Sequence, residues 1–226
     1  MYLSFLLNLS REYKEFETRL KKRKFAHLLL AGSMAFTFLV PQLLTKPAQA
    51  EAVYDIQEMA RPDIPGLVVS PDDPLQNLTA RSAVVIDAAS KQVIYERNKD
   101  ERRFPASTTK IMTLILALEN SNMDDIVTVS SRAAGKEGST LWLEAGEKIR
   151  MGDLLYGMMM HSGNDATVAV AEHIAGSEDK FAAMMTAKAH EIGAVNTNFA
   201  NANGLPRDDH YTTAYDLALI TAYGYS

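Results

Sequence analysis

The sequence predicts an α+β fold in which a β-hairpin precedes a series of helices. Two apolar strand patterns, Ala83-Val84-Val85-Ile86 and Gln92-Val93-Ile94-Tyr95, flank the polar segment 87–91, as expected for a hairpin. Between Pro105 and Pro206 there is no proline, and apolar residues recur at helical spacing. Strands followed by a block of helices are typical of the α+β class.

The predicted helices follow one another along the second half of the chain. The first begins near Ser107, where one face carries apolar residues at positions i, i+3, i+4 and i+7: Ile111, Leu114, Ile115 and Leu118. Further helical patterns cover 151–160, 166–174, 181–192 and 213–222. The apolar run 126–129 predicts a short strand.

Length and composition limit the class of protein. A chain of 226 residues suits one domain or slightly more, and 47% hydrophobic with 23% charged residues is a globular balance. The net charge of -5 gives no basic surface, so nucleic acid is not expected as a partner. The chain has no cysteine, which excludes disulfides, thiol catalysis and thiolate metal sites.

Residues 1–50 differ from the rest and predict an export signal. They carry eight basic and three acidic residues, which leaves a net charge of -10 for 51–226. The basic block 21–24 is followed by the uncharged run 25–44 and then by Ala48-Gln49-Ala50, the pattern of a cleaved secretory signal. The alternative is an uncleaved membrane anchor, since about 20 apolar residues can span a bilayer. Both interpretations place residues 51–226 outside the cytoplasmic membrane.

Two regions follow this signal. Residues 51–80 contain four prolines, which disfavour regular structure and predict an extended linker. Residues 81–226 carry the strand and helix patterns and are predicted to form the folded domain.

Ser107-Thr108-Thr109-Lys110 places a serine and a lysine three residues apart at a predicted helix start. On a helix this spacing puts both side chains on one face, with Cβ atoms about 5–6 Å apart. A serine needs a base within hydrogen-bond reach to become a nucleophile, and a lysine can be that base when burial lowers its pKa. Ser107 is therefore a candidate nucleophile and Lys110 its candidate base.

A second serine and lysine at this spacing, Ser177-Glu178-Asp179-Lys180, favours a structural role. Ser177 follows Gly176, and two acids occupy the first helical turn. This is typical of an N-cap followed by charges that match the helix dipole.

Ser162-Gly163-Asn164 lies between two helical patterns, where both polar side chains could face a cleft. The Asn164 amide could hold a substrate amide, and the Ser162 hydroxyl could relay a proton. The alternative is that one of them only caps the helix that follows.

Five segments carry a further pattern: 104–113, 138–147, 160–166, 201–206 and 210–218. In this order they resemble segments of the D-alanyl-D-alanine carboxypeptidases, which are low-molecular-mass penicillin-binding proteins of the serine peptidase type. The likeness extends from about residue 83 to residue 221. The resemblance implies a β-lactamase/transpeptidase-like fold with a nearly complete helical subdomain and an incomplete antiparallel sheet.

The resemblance also implies roles for the four polar residues. Ser107 would attack the carbonyl of the penultimate D-Ala of a peptidoglycan stem peptide, and Lys110 would take its proton. Ser162 would help to return a proton to the leaving D-Ala, and Asn164 would hold the peptide amide. Water would then release the acyl group, β-lactams would acylate the same serine, and the reaction would need no metal or other cofactor.

The third motif of the family, Lys-Thr-Gly, does not occur in this sequence. In the family it follows the Tyr-Asp-Leu-Ala helix on a strand that lines the cleft and supplies an oxyanion N–H. Loss of one oxyanion donor costs about 10²–10³ in rate. We therefore expect 81–226 to be a partial catalytic domain, and the chain to be an incomplete, weakly active or inactive form of the enzyme.

Two alternatives remain at this stage. A non-catalytic envelope protein on the same fold would explain the missing motif, and a β-lactamase-related hydrolase would share the acyl-enzyme chemistry.

Overall fold

The computed structural model describes residues 78–226. The predicted signal, 1–50, and almost all of the predicted linker, 51–80, lie outside the described residues. The described strands are β1 (Ala83–Ile86), β2 (Val93–Arg97), β3 (Ile126–Thr128) and β4 (Lys148–Arg150). The described helices are α1 (Thr109–Asn120), α2 (Ser131–Ala134), α3 (Met151–His161), α4 (Asn164–Ala175), α5 (Glu178–Ile192) and α6 (Ala214–Gly224).

The strands form two antiparallel pairs. β1 pairs with β2, with Val84 opposite Glu96, which confirms the predicted hairpin. β3 pairs with β4, with Val127 opposite Ile149. The sequence did not predict β4, because it has three residues and a single apolar side chain between two charged ones.

The main core lies where α1, α4, α5 and α6 meet. Met112 of α1, Phe181 and Met185 of α5 and Ile220 of α6 are buried in one apolar cluster. The helix α4 contacts α1, α2, α3 and α5, and its residues from Asn164 to Ala171 are all buried. Because α4 is surrounded in this way, the residues at its first turn are held in fixed positions.

The helix ends follow ordinary capping chemistry. Ser177 caps α5 by accepting a hydrogen bond from the Lys180 amide at 3.2 Å, as predicted. Thr213 caps α6 by accepting from the Asp216 amide at 3.0 Å. Within residues 78–226, no helix combines the length and the apolar character that crossing a bilayer requires.

Candidate active site

The candidate nucleophile, Ser107, lies in a short 3-10 turn, Ala106–Thr108, that leads directly into α1. Its side chain is exposed to solvent. The preceding residue, Ala106, has a φ of 49°, in the left-handed region that alanine rarely occupies. Such a conformation costs on the order of 1–3 kcal/mol and is concentrated at functional sites, where surrounding contacts impose it.

The candidate base, Lys110, lies in the first turn of α1 and is only 2% exposed. Its Nζ donates one hydrogen bond to Asn164 Oδ1 at 2.9 Å and another to the carbonyl oxygen of Asn203 at 2.8 Å. Both acceptors are neutral, so no opposite charge offsets the cost of burying the ammonium group. Burial accordingly lowers the pKa of Lys110 to about 8.

Ser162 ends α3 in the left-handed conformation, with φ 56° and ψ 32°. Its hydroxyl donates to Ser107 Oγ at 3.0 Å. The two hydroxyls are therefore close enough for a proton to pass between them.

Asn164 is the first residue of α4, and its amide bridges two parts of the site. Its Oδ1 accepts from Lys110, while its Nδ2 donates to the Glu137 carbonyl oxygen at 2.8 Å. The N-cap position of α4 is Gly163, and no side chain caps that helix. The alternative that Ser162 or Asn164 only caps α4 is therefore wrong.

The structure thus arranges the four predicted residues as two hydrogen-bonded pairs, and no hydrogen bond joins Ser107 directly to Lys110. Ser107 and Ser162 form a pair of hydroxyls, and Lys110 and Asn164 form an amine–amide pair. One helical turn joins Ser107 to Lys110, and the single residue Gly163 joins Ser162 to Asn164.

Sequence reasoning gave no role to Asp165, which fixes the segment beside the site. The carboxylate is 1% exposed and accepts from the amides of Leu141, at 2.9 and 3.0 Å, and Leu143, at 3.1 Å. Between these two residues, Trp142 is half-exposed and has a φ of 61°. An acid in the first turn of a helix is already explained by its attraction to the helix dipole. The sequence alone therefore did not indicate that Asp165 also binds the segment around Trp142.

His210 was a second residue without a predicted site role. Its Nδ1 accepts from the Ala200 amide at 2.9 Å, so its proton is on Nε2, which lies 2.8 Å from the Thr109 hydroxyl. Burial lowers the pKa of His210 to about 4, which keeps the ring neutral. The ring therefore ties the segment before α6 to the residue that precedes Lys110.

A family model for D-alanyl-D-alanine carboxypeptidase matches residues 68–225. The chain belongs to this family. The resemblance inferred from five sequence segments is thereby confirmed. Among carboxypeptidase relatives, DacF of Bacillus subtilis is 44% identical over 146 residues, which cover 62% of this chain and 38% of DacF. DacC of Escherichia coli is 36% identical and is matched over 64% of this chain and 39% of its own length.

Solved structures of a D-alanyl-D-alanine carboxypeptidase and of a penicillin-binding protein confirm the fold prediction. DacD of Francisella tularensis superposes with a TM-score of 0.63 at 38% identity, over 76% of this chain and 42% of that protein. Penicillin-binding protein 5 of Haemophilus influenzae gives a TM-score of 0.61 at 33% identity, over 69% of this chain and 46% of that protein. The chain thus spans roughly two fifths of the length of these carboxypeptidases and penicillin-binding proteins.

Proposed function

We propose that this chain carries the acylation centre of a serine-type D-Ala-D-Ala carboxypeptidase that binds penicillin. The observation that carries the proposal is the exposed Ser107 hydroxyl, 3.0 Å from Ser162 and one helical turn from the buried Lys110. Membership of the D-alanyl-D-alanine carboxypeptidase family supports the same reaction.

In the proposed reaction Ser107 Oγ attacks the carbonyl carbon of the penultimate D-Ala. Neutral Lys110 takes the serine proton as the Oγ–carbon bond forms. The carbon–nitrogen bond of the peptide then breaks, and a proton passed through Ser162 converts the leaving nitrogen to the amine of free D-Ala. Water attacks the resulting ester, the Oγ–carbon bond breaks and the proton returns to Ser107.

The surroundings of Lys110 support its role as the base. A lysine with a pKa of about 8 is partly neutral near neutral pH, whereas an ordinary lysine is almost fully charged. Asn164 holds Nζ through Oδ1, and we propose that the same amide binds the peptide backbone of the substrate.

The proposed partners are peptidoglycan stem peptides that end in D-Ala-D-Ala, with β-lactams as covalent inhibitors. We place the protein in the periplasm or at the outer face of the cytoplasmic membrane, exported by the signal 1–50 and followed by the linker 51–80. Residues 81–226 would then belong to the catalytic domain. The sequence pattern of the first fifty residues supports export, and cell-wall chemistry requires it.

Labelling with a fluorescent penicillin tests the acylation centre without requiring turnover of a peptide. The full chain is incubated with the reagent, and the labelled peptide is identified by mass spectrometry. We expect an adduct on Ser107 that is absent in the Ser107→Ala variant. Ser90→Ala, at an exposed serine in the hairpin loop, is the matched control and should label normally.

The outcomes separate the alternatives. A long-lived adduct supports a penicillin-binding carboxypeptidase, whereas rapid hydrolysis with repeated turnover of penicillin would indicate a β-lactamase-related hydrolase. Absence of any adduct on the folded chain would contradict the proposal and favour a non-catalytic envelope protein.

A further inference from the structure

The serine–lysine segment 177–180, to which the sequence gave only a structural role, contains a buried acid. Asp179, one residue away in the first turn of α5, is exposed as a dipole-matching charge normally is. Glu178 is 3% exposed. Burial of a carboxylate is costly unless hydrogen bonds and opposite charges compensate it, so its partners indicate what it does.

Both oxygens of Glu178 have partners. Oε2 pairs with Lys136 Nζ at 3.0 Å and with Arg132 at 3.4 Å. Oε1 accepts from Asn203 Nδ2 at 3.1 Å and from the Ala202 amide at 3.5 Å. The carboxylate therefore connects the region of α2 to the segment 201–205.

Asn203 and Ala202 also bind α1, through their backbone carbonyls. The carbonyl oxygen of Asn203 accepts from Lys110 Nζ at 2.8 Å. The carbonyl oxygen of Ala202 accepts from the Thr113 hydroxyl at 2.7 Å. Glu178 thus holds the side chain of Asn203 and the amide of Ala202, and the carbonyls of these two residues accept hydrogen bonds from the first two turns of α1.

We propose that Glu178 is a positioning residue for Lys110, acting through Asn203. Glu178 fixes the Asn203 side chain. It thereby fixes the direction of the Asn203 backbone carbonyl, which accepts the hydrogen bond from the Lys110 ammonium group. The inference rests on the proposed function, in which Lys110 is the base, and it adds a residue on a different helix to that site.

The geometry explains why a carboxylate suits this position. The Asn203 side chain is 2% exposed, so loss of its acceptor would leave a buried N–H unpaired. Asn203 Oδ1 already accepts from the Leu205 amide at 2.9 Å, which leaves Nδ2 as the group for Glu178 to hold. Lys136 and Arg132 compensate the buried negative charge and remain partly exposed themselves.

The test compares three variants of the full chain: Glu178→Ala, Glu178→Gln and the matched control Asp179→Ala. Two quantities are measured, the rate constant of acylation by fluorescent penicillin and the chemical shift of the Lys110 Cε–Hε signal by ¹³C NMR. The second reports on the lysine environment even where no acylation occurs.

We expect Glu178→Ala to slow acylation about tenfold or more, because small displacements of a catalytic group cost large factors in rate. It should also shift the Lys110 signal. Glu178→Gln keeps a carbonyl that can accept from Asn203 but loses the second acceptor for Lys136 and Arg132, so both quantities should lie between those of Glu178→Ala and those of the unmodified chain. Asp179→Ala should leave both unchanged.

A folded Glu178→Ala variant with an unchanged rate and an unchanged Lys110 signal would overturn the proposal. If that variant does not fold, hydrogen exchange of the Asn203 side-chain amide in the unmodified chain decides. Exchange as fast as at the exposed Asn196 would overturn the proposal, and strong protection would support it. If the unmodified chain forms no penicillin adduct, the proposed function fails, and the Lys110 signal alone decides the role of Glu178.

Discussion

A Cβ atom built on Gly204 would lie 1.9 Å from the carbonyl oxygen of Ala106 and 3.0 Å from the amide nitrogen of Ser107. Gly204 also has a φ of 91°, which favours glycine. The segment 201–205 therefore packs directly against the turn that carries the candidate nucleophile, and only a residue without a side chain allows this approach.

Gly204→Ala should displace the Ser107 turn and abolish measurable labelling by penicillin. Gly193→Ala is a matched control, because Gly193 has a φ of 98° but nothing lies within 4 Å of its built Cβ. In both variants the left-handed backbone conformation should lower the free energy of unfolding by about 1 kcal/mol. In Gly204→Ala the clash with Ala106 should lower it by about 1–3 kcal/mol more. Urea unfolding and acylation rates measure the two effects. Equal losses in both variants would show that the close approach to Ala106 does not matter.

The rate of acylation should depend on pH through Lys110. Only the neutral amine can take a proton, so the rate should rise about tenfold per pH unit and level off above the lysine pKa of about 8. Lys110→Arg stays charged, so its rate should not rise with pH and should be about 10²–10⁴-fold below the plateau rate of the unmodified chain. A flat pH profile for the unmodified chain would argue against Lys110 as the base.

Ser162 combines a needed hydroxyl with a strained backbone, and two substitutions separate these features. Ser162→Ala and Ser162→Gly both remove the donor to Ser107, so they should slow acylation equally. Glycine tolerates the left-handed conformation, so the Gly variant should be about 0.5–1 kcal/mol more stable than the Ala variant. Chemical denaturation measures this difference. A much faster Gly variant would mean that the backbone, and not the hydroxyl, limits the reaction.

His210 should make the fold sensitive to acid. Its pKa is about 4 in the folded chain against an ordinary value of 6.5, so between these values the unfolded chain binds a proton that the folded chain does not. The contribution of His210 to the unfolding free energy should therefore be fully present above pH 6.5 and fall by up to about 3 kcal/mol as the pH drops toward 4.

The His210→Gln variant isolates this contribution. Urea unfolding at several pH values should show a shallower acid dependence than in the unmodified chain. The same slope in both proteins would show that the loss of stability comes from other groups.

The elements with clear periodicity were predictable from sequence. The helical spacing of α1 and the two apolar runs of the hairpin depend on several residues each, and both elements are present in the structure. The predicted apolar stripe of α1 is only partly correct, because Ile115 is buried but Leu118 is exposed. The four predicted site residues were indicated by residue type and spacing, and their convergence could be inferred from the family resemblance. Their catalytic roles stay predictions, as do the signal and the linker.

The supporting contacts of the site were not predictable, for a physical reason. Asn203 reaches Lys110 through its backbone carbonyl, a group that every residue has, so no side-chain pattern reports it. Glu178 and Asp165 both occupy the first turn of a helix, where an acid matches the dipole whether it is buried or solvated. Only the tertiary partners of these two carboxylates distinguish them from exposed acids such as Asp179.

The bonds of Asp165 have a practical consequence. This carboxylate directly follows Asn164 in the chain and holds the backbone on both sides of Trp142, the single tryptophan in the sequence. A ligand that moves the first turn of α4 would therefore move the indole as well. Intrinsic fluorescence of Trp142 would then report occupancy of the cleft, in real time and without any attached dye.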